Sequence, residues 1–113
     1  MKVGDYVRTE ISSLNLQRIG KIKKIISEDF IHTDIGTYDK DHIIKSSPNI
    51  IDLIEENDFI NGMRIAQIIS NKNGVLKCMV DSDYEFITTI TNSEVESVLT
   101  HEQFESMEYR IGE

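Results

Sequence analysis

Two Asn-Gly pairs, Asn61-Gly62 and Asn73-Gly74, stand twelve positions apart in DFINGMRIAQIISNKNGVLKCMV. Asn-Gly is the pairing that a tight hairpin turn demands, because both central residues must take positive φ and these two do so at least cost. Two such turns so close together leave room for turn-bounded strands and little else. The flanking sequence agrees. VGDYVRTE (3–10) reads as a turn into a strand. RIGKIKKII (18–26) alternates apolar and basic residues, the period of a half-buried strand, with Gly20 at a bulge or a close backbone contact. Ser27–Asp29 is a turn, FIHTDI (30–35) alternates again, Gly36 breaks it, and TYDKDHII (37–44) supplies another short strand. DSDYEFITTI (81–90) alternates around Tyr84, Phe86, Thr88 and Ile90.

Two short helices complete the pattern. Ser47-Pro48 is a helix start, with Ser47 as N-cap and Pro48 at the first helical position. Ile50, Ile51, Leu53 and Ile54 then cover one side of the following turns. Thr100 with Gln103 three residues on fits a capping box, which starts a second helix near His101. The order of elements then repeats. VGDYV matches ENDFI, RIGKI (18–22) matches RIAQI (64–68), turn-bounded strands follow in each half, and HIIKSSPNIIDLI matches EVESVLTHEQFESM. The pattern reads as an internal duplication of roughly fifty residues, against chance likeness among isoleucine-rich strands. The units are 1–54 and 55–113, the second ending in a short helix and a terminal strand. Units so small bury little apolar surface alone. They are expected to pack on each other as one body, or to pair across a homo-oligomer, and Glu55 to Asp58 become the seam between them.

Charge narrows the partners. Residues 1–54 carry eight acids and eight bases, whereas residues 55–113 carry twelve acids and four bases, so the whole net charge of −8 lies in the second unit. An acidic half repels nucleic acid and anionic membrane and attracts a basic protein surface; solubility is the plainer use for it. Hydrophobic and charged residues make up 39% and 28% of the chain, the balance of a folded domain. Nineteen isoleucines against one alanine and one proline mark AT-rich coding, which discounts part of the strand signal. No apolar run nears the ~18 residues of a membrane span, and MKVGDYVRTE has no signal-peptide core. A single cysteine, Cys78, fits a reducing cytoplasm.

At this point the residues suggest relatives. VGDYVRT followed by a short loop and GKIKKI resembles the opening of SH3-like small barrels of the KOW and Tudor type. SPNIIDLIEENDFING (47–62) together with SVLTHEQFESMEYRIGE (97–113) resembles a group of small proteins from phages and prophages of low-GC Gram-positive bacteria. In that group SPNIIDLIE, a D-aromatic-Ile-Asn-Gly step and a THEQFE tail recur. The resemblance implies a phage origin and a host bacterial cytoplasm as the place of action; it carries over no catalytic residue. The expected fold is mainly β with two short helices, arranged as two fused SH3-like small β-barrel repeats.

Each constellation of reactive side chains has a bland counterpart. Asp81, Asp83 and Glu85 fall on one face of a strand, a carboxylate stripe to which Glu94 and Glu96 add. The glycine and distant glutamate of an EF-hand loop are missing, so the stripe is either a solvated face or a docking surface for a basic protein. His32 and His42 stand ten apart, too far for a compact zinc pair, and HEQFE at 101–105 has Glu105 where a zincin helix needs histidine. Neither a metal nor another cofactor is expected. Cys78 lies among apolar neighbours as a structural thiol. Arg18, Lys21, Lys23 and Lys24 form the one basic cluster, with Lys21 and Lys23 on one strand face. With Tyr6 and Arg64 this cluster suits a small anionic ligand, such as a nucleotide signal, better than nucleic acid.

The expected role is therefore non-enzymatic. It is a phage-encoded binding protein acting on a host component, countering a bacterial defence system by docking its acidic surface on a host protein. The alternative is a sponge that sequesters a nucleotide-type immune signal in a pocket between repeats or subunits. A structural or accessory phage protein is the second alternative.

Overall fold

The computed structural model describes residues 1–11, 16–81 and 85–107, the side chains of 105–107 excepted. Among them the chain is mainly β. Five strands, β1 (Tyr6–Ile11), β2 (Leu16–Ile25), β3 (Phe30–Thr33), β4 (Gly36–Asp39) and β5 (Ile43–Ser47), form one antiparallel sheet in the order β4-β3-β2-β1-β5. Five more, β6 (Phe59–Ile60), β7 (Met63–Lys72), β8 (Val75–Asp81), β9 (Glu85–Thr91) and β10 (Val98–Leu99), form a second in the order β10-β6-β7-β8-β9. Neither sheet closes on itself into a barrel. One short helix, α1 (His101–Met107), ends the described chain; a terminal strand beyond it lies outside the described residues.

The Asn-Gly pairs do what their chemistry demands. Asn61 and Gly62 take φ of 51° and 82° and turn β6 into β7, so that Ile60 faces Met63. Asn73 and Gly74 take 55° and 74° and turn β7 into β8, so that Lys72 faces Val75. Gly20 is a close contact. A Cβ there would lie 2.6 Å from Ile35 Cγ1 and 2.9 Å from Asp34 Oδ1, so glycine lets the β3–β4 turn press onto β2.

The first expected helix is not one. Ser47 ends β5, and Ile50–Leu53 form a single 3₁₀ turn closed by the Ile54 amide on the Ile51 carbonyl at 3.3 Å. A continuing helix would aim the Glu55 amide back at Ile51. Asp58 captures it instead, at 2.8 Å through Oδ2, so the turn ends where the next strand is prepared. The second helix does form. Gln103 N donates to Thr100 Oγ1 at 3.2 Å and Thr100 N to Gln103 Oε1 at 3.3 Å, the reciprocal bonds of a capping box.

The strand entries of the two sheets match bond for bond. Asp5 Oδ2 accepts from Lys2 N at 3.1 Å, as Asp58 Oδ2 does from Glu55 N at 2.8 Å. Gly4 N donates to the Ile22 carbonyl at 2.9 Å, as Asn57 N does to that of Ile65 at 2.7 Å, and Ile22 N and Ile65 N return to Asp5 O and Asp58 O, both at 2.8 Å. Gly4 and Asn57 both take positive φ, 94° and 76°. Tyr6 faces Lys21 as Phe59 faces Arg64. The ladder slips between Ile22 and Lys24 in one sheet and between Ile65 and Gln67 in the other. This pairing sets 21–25 against 64–68, three residues on from the match of 18–22 to 64–68 that residue identities suggested.

The residues ahead of the seam fill the sheet that follows them. Ile51 and Ile54 pack with Ile60, Ile65, Leu76 and Val80 in the larger core, while Val7, Ile22, Ile31 and Tyr38 form the smaller one. The chain end reaches back in exchange, with Thr100 Oγ1 donating to the Gln17 carbonyl on β2 at 2.6 Å. The result is a slab of 46 × 44 × 19 Å.

Candidate functional site

Two places at the junction of the sheets carry chemistry. The first is buried. Arg8 on β1 has no exposed surface, although its neighbours in sequence are ordinary strand residues. Its guanidinium donates to Asp58 through both terminal nitrogens (2.6 and 3.2 Å), to both oxygens of Glu102 (3.0 and 3.3 Å), to the Leu53 carbonyl (2.9 Å) and, through Nε, to Gln17 Oε1 (2.6 Å). Forked donation of this kind suits arginine and not lysine. Asp58 also accepts from the Glu55 and His101 amides and lies 3.0 Å from His101 Nδ1. His101 Nε2 lies 2.9 Å from Glu102 Oε1. The imidazole thus bridges two carboxylates.

The electrostatics follow from the packing. Burial pushes the Asp58 carboxyl up, but the Arg8 hydrogen bond, the Glu55 amide, His101 and the Arg8 charge outweigh it and hold Asp58 below the usual carboxylate range. Burial pushes Glu102 up, and the opposing charges of Arg8 and His101 do not cancel it. Burial opposes the Arg8 charge, yet the Asp58 hydrogen bond and the charges of Asp58, Glu55 and Glu102 keep it above its ordinary value. Asp58, His101 and Glu102 have the identities of a metal site, with ligand atoms within 4.8 Å of one another. Their oxygens already face a permanent cation and backbone amides, so a divalent ion would have to displace Arg8. The cluster is a clasp: it ties β1, the seam and α1 together.

The second place is an open cleft of about 230 Å³ where β1 and β2 meet the segment between β9 and β10. Ile19, Ile50, Val95 and Val98 supply apolar lining; Tyr6, Lys21, Asp34 and Glu96 supply the polar groups. Lys21 Nζ stands 5.6 Å from the Tyr6 ring centroid, within cation–π range. Asp34 is fixed by the Lys21 amide, which donates to its Oδ1 at 2.9 Å.

The residues singled out from sequence are dispersed. Tyr6 and Lys21 meet in the cleft. Arg18 lies opposite Thr9 on β2 and does not line it. Lys23 is exposed at the register shift of β2, so it does not share a regular strand face with Lys21. Arg64 belongs to the other sheet and is taken up by Asp81 at 2.6 Å and Asn57 at 2.7 Å. The carboxylate stripe on one strand does not form. Asp81 ends β8 and faces Glu85, which opens β9, because the chain reverses between them. Asp83 lies outside the described residues. Glu94 caps the turn after β9, accepting from Thr91 N at 3.1 Å, and Glu96 borders the cleft. Cys78 is buried in the larger core, and burial pushes its thiol up.

Sequence reading missed Arg8, His101 and Glu102. The usable signal was the recurrence of Asp before an aromatic in GDYV and NDFI, which marks two equivalent turns, one of them next to an arginine strand. No helix among the described residues is long and apolar enough to cross a membrane. The chain matches no family model, no curated protein and no solved structure.

Proposed function

We propose that this chain is a non-enzymatic, phage-encoded binding protein that docks on a basic surface of a host protein in the host cytoplasm, countering a defence system. The observation that carries the docking reading is the cleft. Its apolar lining suits the stem of a lysine or arginine side chain, Tyr6 offers a ring face, and Asp34 and Glu96 stand exposed at its borders. The most reactive groups of the described chain, Arg8, Asp58, His101 and Glu102, are spent on each other, which speaks for binding over catalysis. The phage origin rests on the resemblance of most of residues 47–62 and 94–113, with the N-terminal opening in support.

The reading includes two SH3-like repeats that have opened and exchanged their closing segments. The matched entry turns and the matched ladder slips support it. The cleft lies where β1 and β2 of the first sheet meet the segment that leads into β10 of the second.

The test is retention of a host protein on the immobilised chain from host lysate, eluted by raised salt. Asp34→Lys with Glu96→Lys should abolish retention, while Glu28→Lys, on the β2–β3 turn, should not. Empty eluates from the unaltered chain, or equal retention by the double variant, would sink the proposal. The second reading, a nucleotide-type ligand, draws on Tyr6 and Lys21 in the cleft. It is disfavoured by two carboxylates beside them and by the absence of Arg18, Lys23 and Arg64 from the lining. A nucleotide mass retained in native mass spectrometry would favour it.

A further inference from the structure

Among the described residues, the second sheet ends in a strand with none of the usual guards. Exposed sheet edges are normally kept short, bulged, or marked with Lys or Pro, because their free backbone groups recruit another strand. The other edges obey this. β10 has two residues, β4 has four with Gly36 at one end and Asp39 at the other, and β5 carries Lys45 and a register shift against β1. β9 differs. Its seven residues, EFITTIT, pair with β8 throughout without a shift, and among the described residues no strand lies on its other side. It contains no Gly, Pro or Lys. Five of its residues are β-branched, and Ile87 on its outer face is 56% exposed.

We infer that β9 is a dimerisation edge, pairing antiparallel with β9 of a second copy about a two-fold axis at Thr88, so that two five-stranded sheets become one of ten strands. The strand is self-complementary in this register. Thr88 faces Thr88 of the second copy, Ile87 faces Thr89, Phe86 faces Ile90, and Glu85 faces Thr91. Outward residues meet outward residues, inward meet inward, and the pairs are of the β-branched and aromatic kinds that stabilise sheets. Charge permits it. Glu85 is the one charge on the strand, and the two copies of it stand six residues apart, about 20 Å at strand rise. That is beyond the screening length of ~8 Å at physiological salt.

The inference is independent of the cleft and is tested on the purified full chain. Native mass spectrometry and sedimentation should give a species of twice the 13.0 kDa chain mass. Ile87→Lys with Thr89→Lys sets lysine against lysine at both outer pairs of the axis; both positions are exposed. This variant should be monomeric with unchanged circular dichroism. Thr88→Cys should form a disulfide-linked dimer under mild oxidation, since directly opposed strand residues stand about 4.5–5.5 Å apart at Cα, within disulfide reach. Cys78 stands directly opposite Thr88 on β8, so the cross-link is tested in a Cys78→Ala background, which removes the competing intramolecular disulfide. A monomer at all concentrations overturns the inference, and so does a dimer indifferent to the lysine pair. A dimer that Thr88→Cys fails to cross-link overturns the register and with it the two-fold edge. If the lysine variant fails to fold, the cross-link decides alone.

Discussion

Replacing Arg8 with methionine tests whether the buried clasp holds the two sheets together. Methionine keeps much of the stem volume and removes the cation. Asp58 and Glu102 are then left buried without their main partner, and the Leu53 carbonyl loses its donor. Breaking a buried ion pair by deleting one side costs about 3–5 kcal/mol. Two features pull the value to the lower end. Asp58 keeps the Glu55 and His101 amides, and Glu102 can take up a proton. About 3 kcal/mol remains, a large share of the ~5–15 kcal/mol that stabilises a domain of this size. In urea, with a slope of about 1.5 kcal/mol per molar, the midpoint should fall by about 2 M. The cost should also depend on context. With Asp58→Asn and Glu102→Gln already present, adding Arg8→Met should cost under ~1 kcal/mol, because no buried charge is stranded. A loss below ~1 kcal/mol for the single variant, or full additivity of the three changes, would refute the reasoning.

Four further outcomes follow from the same structure. Asp58 has its carboxyl held below the ordinary 3.8, so its contribution is complete above that value and is lost as pH falls through its depressed folded value; Asp58→Asn should flatten the acid limb of a stability–pH curve. Glu102 has the opposite sign: raised above the ordinary 4.5, it favours the fold most below that value and less as pH rises through its folded value, so Glu102→Gln should remove that decline. Gly20→Ala drives a Cβ into Ile35 and Asp34, and a loss of about 1–3 kcal/mol in urea melts is expected, with an unchanged melt counting against the close contact. Ile51→Ala should cost about 2–5 kcal/mol and loosen the second sheet, read by hydrogen exchange at Ile65 and Val80, although Ile51 precedes the seam.

Several elements are legible in the sequence because their causes are local. Asn61-Gly62 and Asn73-Gly74 carry their turn geometry in two residues. Gly20 stands out in a strand pattern because only a close approach needs it there. The Thr100–Gln103 box is a contact across one helical turn. Segment 47–54 misled for an equally physical reason: Ser-Pro and a stripe of isoleucines satisfy helix and 3₁₀ turn alike over four residues, and the capture of the Glu55 amide by Asp58 decides between them. The stripe of Asp81 and Glu85 failed because a strand period was extended across a chain reversal.

What the chain determined alone was its strand-and-turn punctuation, since φ preference and alternation act within a few residues. Where the halves meet was decided only by tertiary structure. Arg8 is 50 residues from Asp58 and 94 from Glu102, and a charge becomes worth burying only when all three converge. The same holds for Ile51, whose core belongs to the sheet that follows it, and for the cleft that unites Tyr6 with Glu96. Local preference sets the elements; desolvation, which depends on everything that surrounds a group, sets their partners.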